Sequence, residues 1–288
     1  MSRLPASLDA PPSGRGRAVW FDAAAYGQAR LLGGEEVPWQ SPAELSSFFG
    51  KLGGMFRSDA ILADVGDLLA QRAAASQPLR TAMAARTRTG YALRTLLGDE
   101  QARAIAAEAV RVLAATGGPV PLVLTMPAPG RWLVAAAKQA GVDTARADAG
   151  QAETAAIYIA DFLRLFGDAR VDGVLLDEGG VPAGELIDPE AYRPVLNVAD
   201  HYGWSALILT GTAAAWPFGP VSGVTAWLGS DQPKAPDGSA GPPGRWGAVA
   251  DPEFWAGADP PDGADLVFAA VPAEADPDAV MTRVRALT

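Results

Sequence analysis

Short apolar runs alternate with longer amphipathic stretches along nearly the whole chain, and this alternation restricts the fold more than any other feature. Ala18–Phe21 and Ala60–Val65 are short apolar runs, and Val120–Thr125, Val171–Leu176, Ser205–Thr210, Gly223–Leu228, Trp246–Ala250 and Leu266–Val271 read as strands. Continuous apolar runs of this length suit strands covered on both faces, as in a parallel sheet flanked by helices. Between them, Asp99–Thr116 places Ile105, Ala109, Val112 and Leu113 on one helical face before Gly117-Gly118-Pro119 ends it. Gln151–Phe166 turns Ala155, Ile159, Phe162 and Phe166 inward and stops at Gly167. Ser41-Pro42-Ala43-Glu44 reads as a helix start, Ser41 the N-cap and Glu44 completing a capping box, with the helix reaching about Lys51. Pro189–Tyr202 reads as a helix kinked at Pro194.

Repeated βα units predict an α/β fold. With 288 residues and six or more such strands, the expectation is a single (β/α)8-type TIM barrel, somewhat trimmed, over residues 18–288. An open doubly-wound sheet is the competing arrangement. Met1–Arg17, rich in Pro, Ser, Gly and Arg, is expected to be a flexible arm. Gln232–Arg245 is a long Pro/Gly loop, either a lid beside a barrel site or a surface insertion.

Composition excludes several chemistries. The absence of cysteine removes disulfides, thiolate nucleophiles, Fe–S clusters and cysteine-based zinc sites. The single histidine, His201, rules out a multi-His metal site, and its place in the last turn of a helix suits a dipole partner or surface residue. A formal charge of −10 argues against a nucleic-acid partner. Lys51, Lys138 and Lys234 do not follow strands, which disfavours Schiff-base chemistry. Gly14-Arg15-Gly16 lacks the third glycine and the preceding strand of a dinucleotide fingerprint, and no Walker A or G-x-S-x-G motif occurs. No run reaches the ~18 apolar residues of a membrane span. Met1–Arg17 has no apolar core of a secretory signal, so a cytoplasmic protein is expected.

In parallel barrels the chemistry gathers at the C-terminal ends of the strands. Asp64 follows one strand, Asp177 and Glu178 another, and Asp231 a third; Arg131 is the cation of the loop after Val120–Thr125. Carboxylates gathered at one mouth raise one another's pKa, so one becomes a proton donor near neutral pH. Arg131 would hold an anionic substrate group. The competing role for Asp64 and Asp177 is to cap the next helix. Met126, Trp132, Thr210 and Trp227 also fall at or near strand ends, with Trp216 and Trp246, where they would shape an apolar pocket or pack in the core.

The order of these segments resembles the uroporphyrinogen decarboxylase family, within a superfamily that includes cobalamin-independent methionine synthase. Phe56–Asp64 (FRSDAILAD) looks like that family's early strand leading to its catalytic aspartate. Gly118–Trp132 (GPVPLVLTMPAPGRW) and Val171–Pro194 (VDGVLLDEGGVPAGELIDPEAYRP) resemble its next strands, turns and helix. Gly223–Asp231 and Trp246–Pro252 are similar to its late segments. The resemblance implies a barrel, paired barrels in a homodimer, and acid-assisted chemistry without a cofactor. The chain departs from the family where the arginine-rich porphyrin motif would fall, reading VWFDAAAYGQAR over Val19–Arg30. It also lacks the family's late histidine, and the Cys of the zinc-dependent branches.

The leading expectation is a cofactor-independent lyase or decarboxylase acting on a small organic acid with an apolar or aromatic part. Asp177, Glu178 and Asp64 would be its acids, and Arg131 its anion receptor. Group transfer, with or without a carboxylate-held metal, is one alternative. A non-catalytic binding or accessory subunit that kept the barrel is the other.

Overall fold

The computed structural model describes residues 2–143, 146–179, 185–210, 218, 221–230 and 244–287. Its centre is an all-parallel sheet of eight strands: β1 (Ala18–Asp22), β2 (Ile61–Asp64), β3 (Leu122–Pro127), β4 (Gly173–Asp177), β5 (Ser205–Leu209), β6 (Val224–Gly229), β7 (Arg245–Ala250) and β8 (Leu266–Ala270). Hydrogen-bonded neighbours run β1-β8-β7-β6-β5-β4-β3-β2, so the sheet curls until β1 and β2 face each other as its two edges. The expected α/β barrel is therefore present, nearly closed, with a seam between β1 and β2.

Among the described residues the α-helices are α1 (Leu4–Asp9), α2 (Ala24–Leu31), α3 (Pro42–Phe56), α4 (Val65–Ala75), α5 (Gln77–Met83), α6 (Tyr91–Leu97), α7 (Glu100–Thr116), α8 (Pro129–Gln139), α9 (Ala149–Leu163), α10 (Arg193–Tyr202), α11 (Pro252–Ala256) and α12 (Pro277–Ala286). Asp99 caps α7 through the Ala102 N–H at 2.7 Å, and Asp148 caps α9 in a capping box with Gln151. The box expected at Ser41 is not made, and α3 continues past Lys51 to Phe56. Pro194 begins α10 instead of kinking a longer helix, since its fixed φ and missing N–H suit a first turn. No element was expected over α4–α6.

Side chains alternate across each strand. One face supplies the outer core against the helices, with Phe21, Leu124, Leu176, Ile208 and Val267. The other fills the barrel with Trp20, Leu62, Val123, Leu175, Leu207, Leu228 and Phe268.

Leu4 and Leu8 of α1 belong to that barrel-filling cluster and are buried. The expected flexible arm is thus, at its start, a helical plug under the barrel floor. Its anchor is remote in sequence. The Arg3 guanidinium donates to the Asp172 carboxylate at 2.5 and 3.0 Å, and the Arg3 N–H donates to it at 2.9 Å. The Leu122 N–H adds a fourth bond at 3.1 Å. Burial pushes the Asp172 carboxyl up, but the Arg3 and Leu122 donors outweigh burial and hold its pKa below the usual range. Its contribution to stability is therefore complete at neutral pH and is lost as pH falls through that depressed value.

At the seam, side chains replace the missing ladder. The fully buried Asp59 carboxylate accepts the Val19 N–H of β1 at 2.9 Å and the Ser13 N–H at 2.8 Å. The Asp59 N–H returns a bond to the Val19 carbonyl at 2.9 Å, and Ser58 Oγ accepts the Phe21 N–H at 3.0 Å. Arg15, its side chain only 7% exposed, pairs with Asp59 at 3.5 Å.

Removing residues 2–9 should lower the free energy of unfolding by at least about 3 kcal/mol, from two leucines at about 1.5–3 kcal/mol each. Urea denaturation of the truncated chain tests this; an unchanged midpoint would mean the segment is an arm after all. Asp59→Ala, which strands two N–H groups and a buried guanidinium, should cost about 3–5 kcal/mol. An unshifted midpoint for that variant would show that packing alone holds the seam.

Candidate active site at the barrel mouth

Strand parity decides which strand-end residues look into the barrel. Trp20, Leu62, Val123 and Leu175 are inner-face residues, so Asp22, Asp64, Thr125 and Asp177 project to the same interior two residues further up. Thr125 lies beside Asp64 in the β2–β3 register, and Asp177 pairs with Pro127 in the β3–β4 register. Asp64, Thr125 and Asp177 are half-buried, while Asp22 is open to the mouth. Trp20, Leu175, Leu228 and Phe268 lie deeper and form a closed apolar floor.

Three aspartates around one opening repel one another, and they are held differently. Asp177 is ion-paired with Arg131 at 2.7 Å and accepts the Gly179 N–H at 2.6 Å. The Arg131 guanidinium also donates to the Asp177 carbonyl at 2.7 Å. Among the described residues, no salt bridge reaches Asp22 or Asp64. Asp64 accepts the Asp67 N–H at 2.8 Å and thereby caps α4. Its pKa is pushed up to about 7, first by burial, against the pull of that N–H, and further by Asp22, Asp67 and Asp177. The Asp22 carboxyl is also raised. The surrounding barrel wall displaces bulk water from it, the Ala24 N–H opposes the shift, and Asp177 and Asp67 reinforce it. Asp67, bonded by Trp39 Nε1 at 3.3 Å and Gln71 Nε2 at 2.8 Å, is raised by burial as well.

Of the acids expected at the mouth, Asp64 and Asp177 are there. Glu178 is not: it is buried, turned to the 3-10 turn Pro189–Tyr192, and accepts the Tyr192 hydroxyl. Burial raises its pKa. Met126 and Trp227 have the opposite parity and lie in the outer core, as does Trp132 of α8, whose ring meets Phe162 edge-on at 6.4 Å. Thr210 is buried and donates to the Leu228 carbonyl at 3.0 Å. Arg131, expected as an anion receptor, meets the Asp177 carbonyl and carboxylate through one Nη, with its side chain 34% exposed. Asp231, Trp216 and the loop 232–243 lie outside the described residues. Two residues escaped the sequence reading, Asp22 and Thr125. Asp22 follows its apolar run as Asp64 and Asp177 follow theirs, and alternation along β3 selects Thr125 over Met126.

Among the described residues, no group of three or more His, Asp or Glu side chains is arranged to hold a metal ion. The zinc of the resembled cysteine-dependent branches does not fit this chain. It has no cysteine, and His201 sits at the end of α10 that leads into the start of β5, opposite the mouth.

No protein-family model matches the chain, and no curated protein matches it. A solved structure, a methyltransferase from Methanosarcina mazei, is similar to it with a TM-score of 0.52 and 12% sequence identity, over 99% of this chain and 97% of that one. At that identity the likeness shows the shared barrel.

Asp64→Asn keeps an N-cap acceptor and removes the titration. A carboxyl whose folded pKa lies near 7 destabilises the fold progressively as pH rises from about 4 to 7. The variant should therefore gain stability over wild type across that window and hold the gain above it. Thermal unfolding at pH 5 and pH 8 checks this; an equal difference at both would refute the shifted carboxyl.

Proposed function

We propose that the chain is a barrel enzyme that transfers a small group, with a methyl group as the leading case, and that Asp64 moves the proton. The observation that carries this reading is the convergence of Asp22, Asp64 and Asp177 on one mouth, where, among the described residues, Asp177 has a salt bridge and Asp22 and Asp64 have none. A carboxyl with a pKa of about 7 is matched to proton transfer at neutral pH. The fold likeness to a methyltransferase along the whole chain, together with the ordered motifs of the uroporphyrinogen decarboxylase superfamily, supports a diverged member of that group.

In this reaction an acceptor X–H gives its proton to the Asp64 carboxylate. The freed pair on X forms the new bond to the transferred group, and the donor departs with its bonding pair. Thr125 offers a hydroxyl beside Asp64, and the Arg131–Asp177 pair stands one strand further round the mouth. A lyase acting on an organic acid is less well served, because the cation that would receive the acid is already bound by Asp177.

The test is transfer from methylated amines and methylated thiols to a thiol acceptor, followed by mass spectrometry. The expected kcat/KM rises with pH through about 7, and Asp64→Asn lowers kcat by roughly 100-fold or more. Full turnover by Asp64→Asn would sink the reading.

A further inference from the structure

The seam between β1 and β2 holds a cavity of about 330 Å³, at the lower end of the size range of small-molecule pockets. Its walls come from both sides of the sheet: Phe21, Phe49, Leu52 and Phe56 belong to the outer core, and Leu62 to the barrel interior. A cavity lined by both layers lies in the barrel wall, where the β1–β2 ladder is missing. At one end it reaches Asp22, the sole acid among its lining residues and one of the mouth aspartates. Arg57, its one lining cation, is tied to the Ser13 carbonyl at 3.1 Å.

Helix α3 covers one side of this space. Gly50 and Gly53 of α3 line the cavity, and a Cβ built on either meets nothing within 4 Å. Neither has positive φ, so no backbone conformation demands glycine there. Each glycine in a helix interior costs about 0.5–1 kcal/mol relative to alanine.

We propose that the seam cavity binds the apolar body of a small organic ammonium compound, with its cationic nitrogen at Asp22 and its hydrocarbon or ring between Phe21, Phe49, Leu52, Phe56 and Leu62. The aromatic walls suit a flat or alkyl body, and Asp22, with no salt bridge among the described residues, supplies the counter-charge. Calling this ligand the substrate rests on the group-transfer reading above; its binding does not.

Isothermal titration of the intact chain with 2-phenylethylamine, protonated at pH 7.5, and with its neutral isostere 2-phenylethanol tests the site. The amine should bind at least tenfold tighter than the alcohol. Asp22→Asn should bring the amine to the affinity of the alcohol. Gly53→Leu fills the space and adds helix propensity, so it should weaken amine binding at least tenfold with an unchanged or higher Tm. Equal affinities of wild type for amine and alcohol, no binding of either at millimolar concentration, or unchanged amine affinity in Gly53→Leu would each overturn the proposal. Asp64→Asn should still bind the amine, so loss of binding and loss of the proton-transfer role are read separately.

Discussion

The barrel depends on a carboxylate where a strand ladder would otherwise be. A parallel barrel needs its first and last edges satisfied, because an unpaired strand edge carries a row of open backbone donors and acceptors. Here β1 has β8 on one side and Asp59 with Ser58 on the other. Asp59 can lie fully buried because the Val19 and Ser13 amides and the Arg15 guanidinium together satisfy it. Holding the edge by side chains leaves the two strands unladdered along the seam, where a cavity lined by Ser13, Ser58 and Leu62 reaches Asp22.

The same geometry sets the electrostatics of the mouth. Inner-face residues are two apart along each strand, so an apolar residue in the filled interior is followed by one at the opening. On β1, β2 and β4 that next residue is an aspartate. The floor beneath is apolar and closed, so no water screens these carboxylates from below. Among the described residues, Arg131 pairs with Asp177, and no salt bridge reaches Asp22 or Asp64. What separates the roles of three chemically identical side chains is therefore which of them has a cation and which has only amide donors.

Much of this could be read from the chain itself. The strands were legible because runs such as VPLVLT and SALILT are apolar without interruption, and Asp64 and Asp177 because each ends such a run. The pocket was less legible. Met126 and Trp227 were judged by distance from the strand end, whereas parity directs them to the helices. Glu178 follows Asp177 by one residue and so points the other way, to Tyr192. Helices α4–α6 are short and carry weak periodicity, and their formation follows from packing on one another and on α8. Nothing local announces α1: six residues become a helix because Arg3 meets Asp172, 169 positions away.

That separation has a kinetic meaning. The N-terminal plug needs β4 to be in place, and β1 needs β8, whose residues lie near the other end of the chain. During synthesis the N-terminal apolar strand therefore emerges long before its ladder partner, and the ring closes only when almost all of the polypeptide is available. Contacts of such sequence separation slow folding and leave an adhesive strand edge open meanwhile. The acidic balance of the chain, −10 in formal charge, helps keep nascent copies apart through that interval.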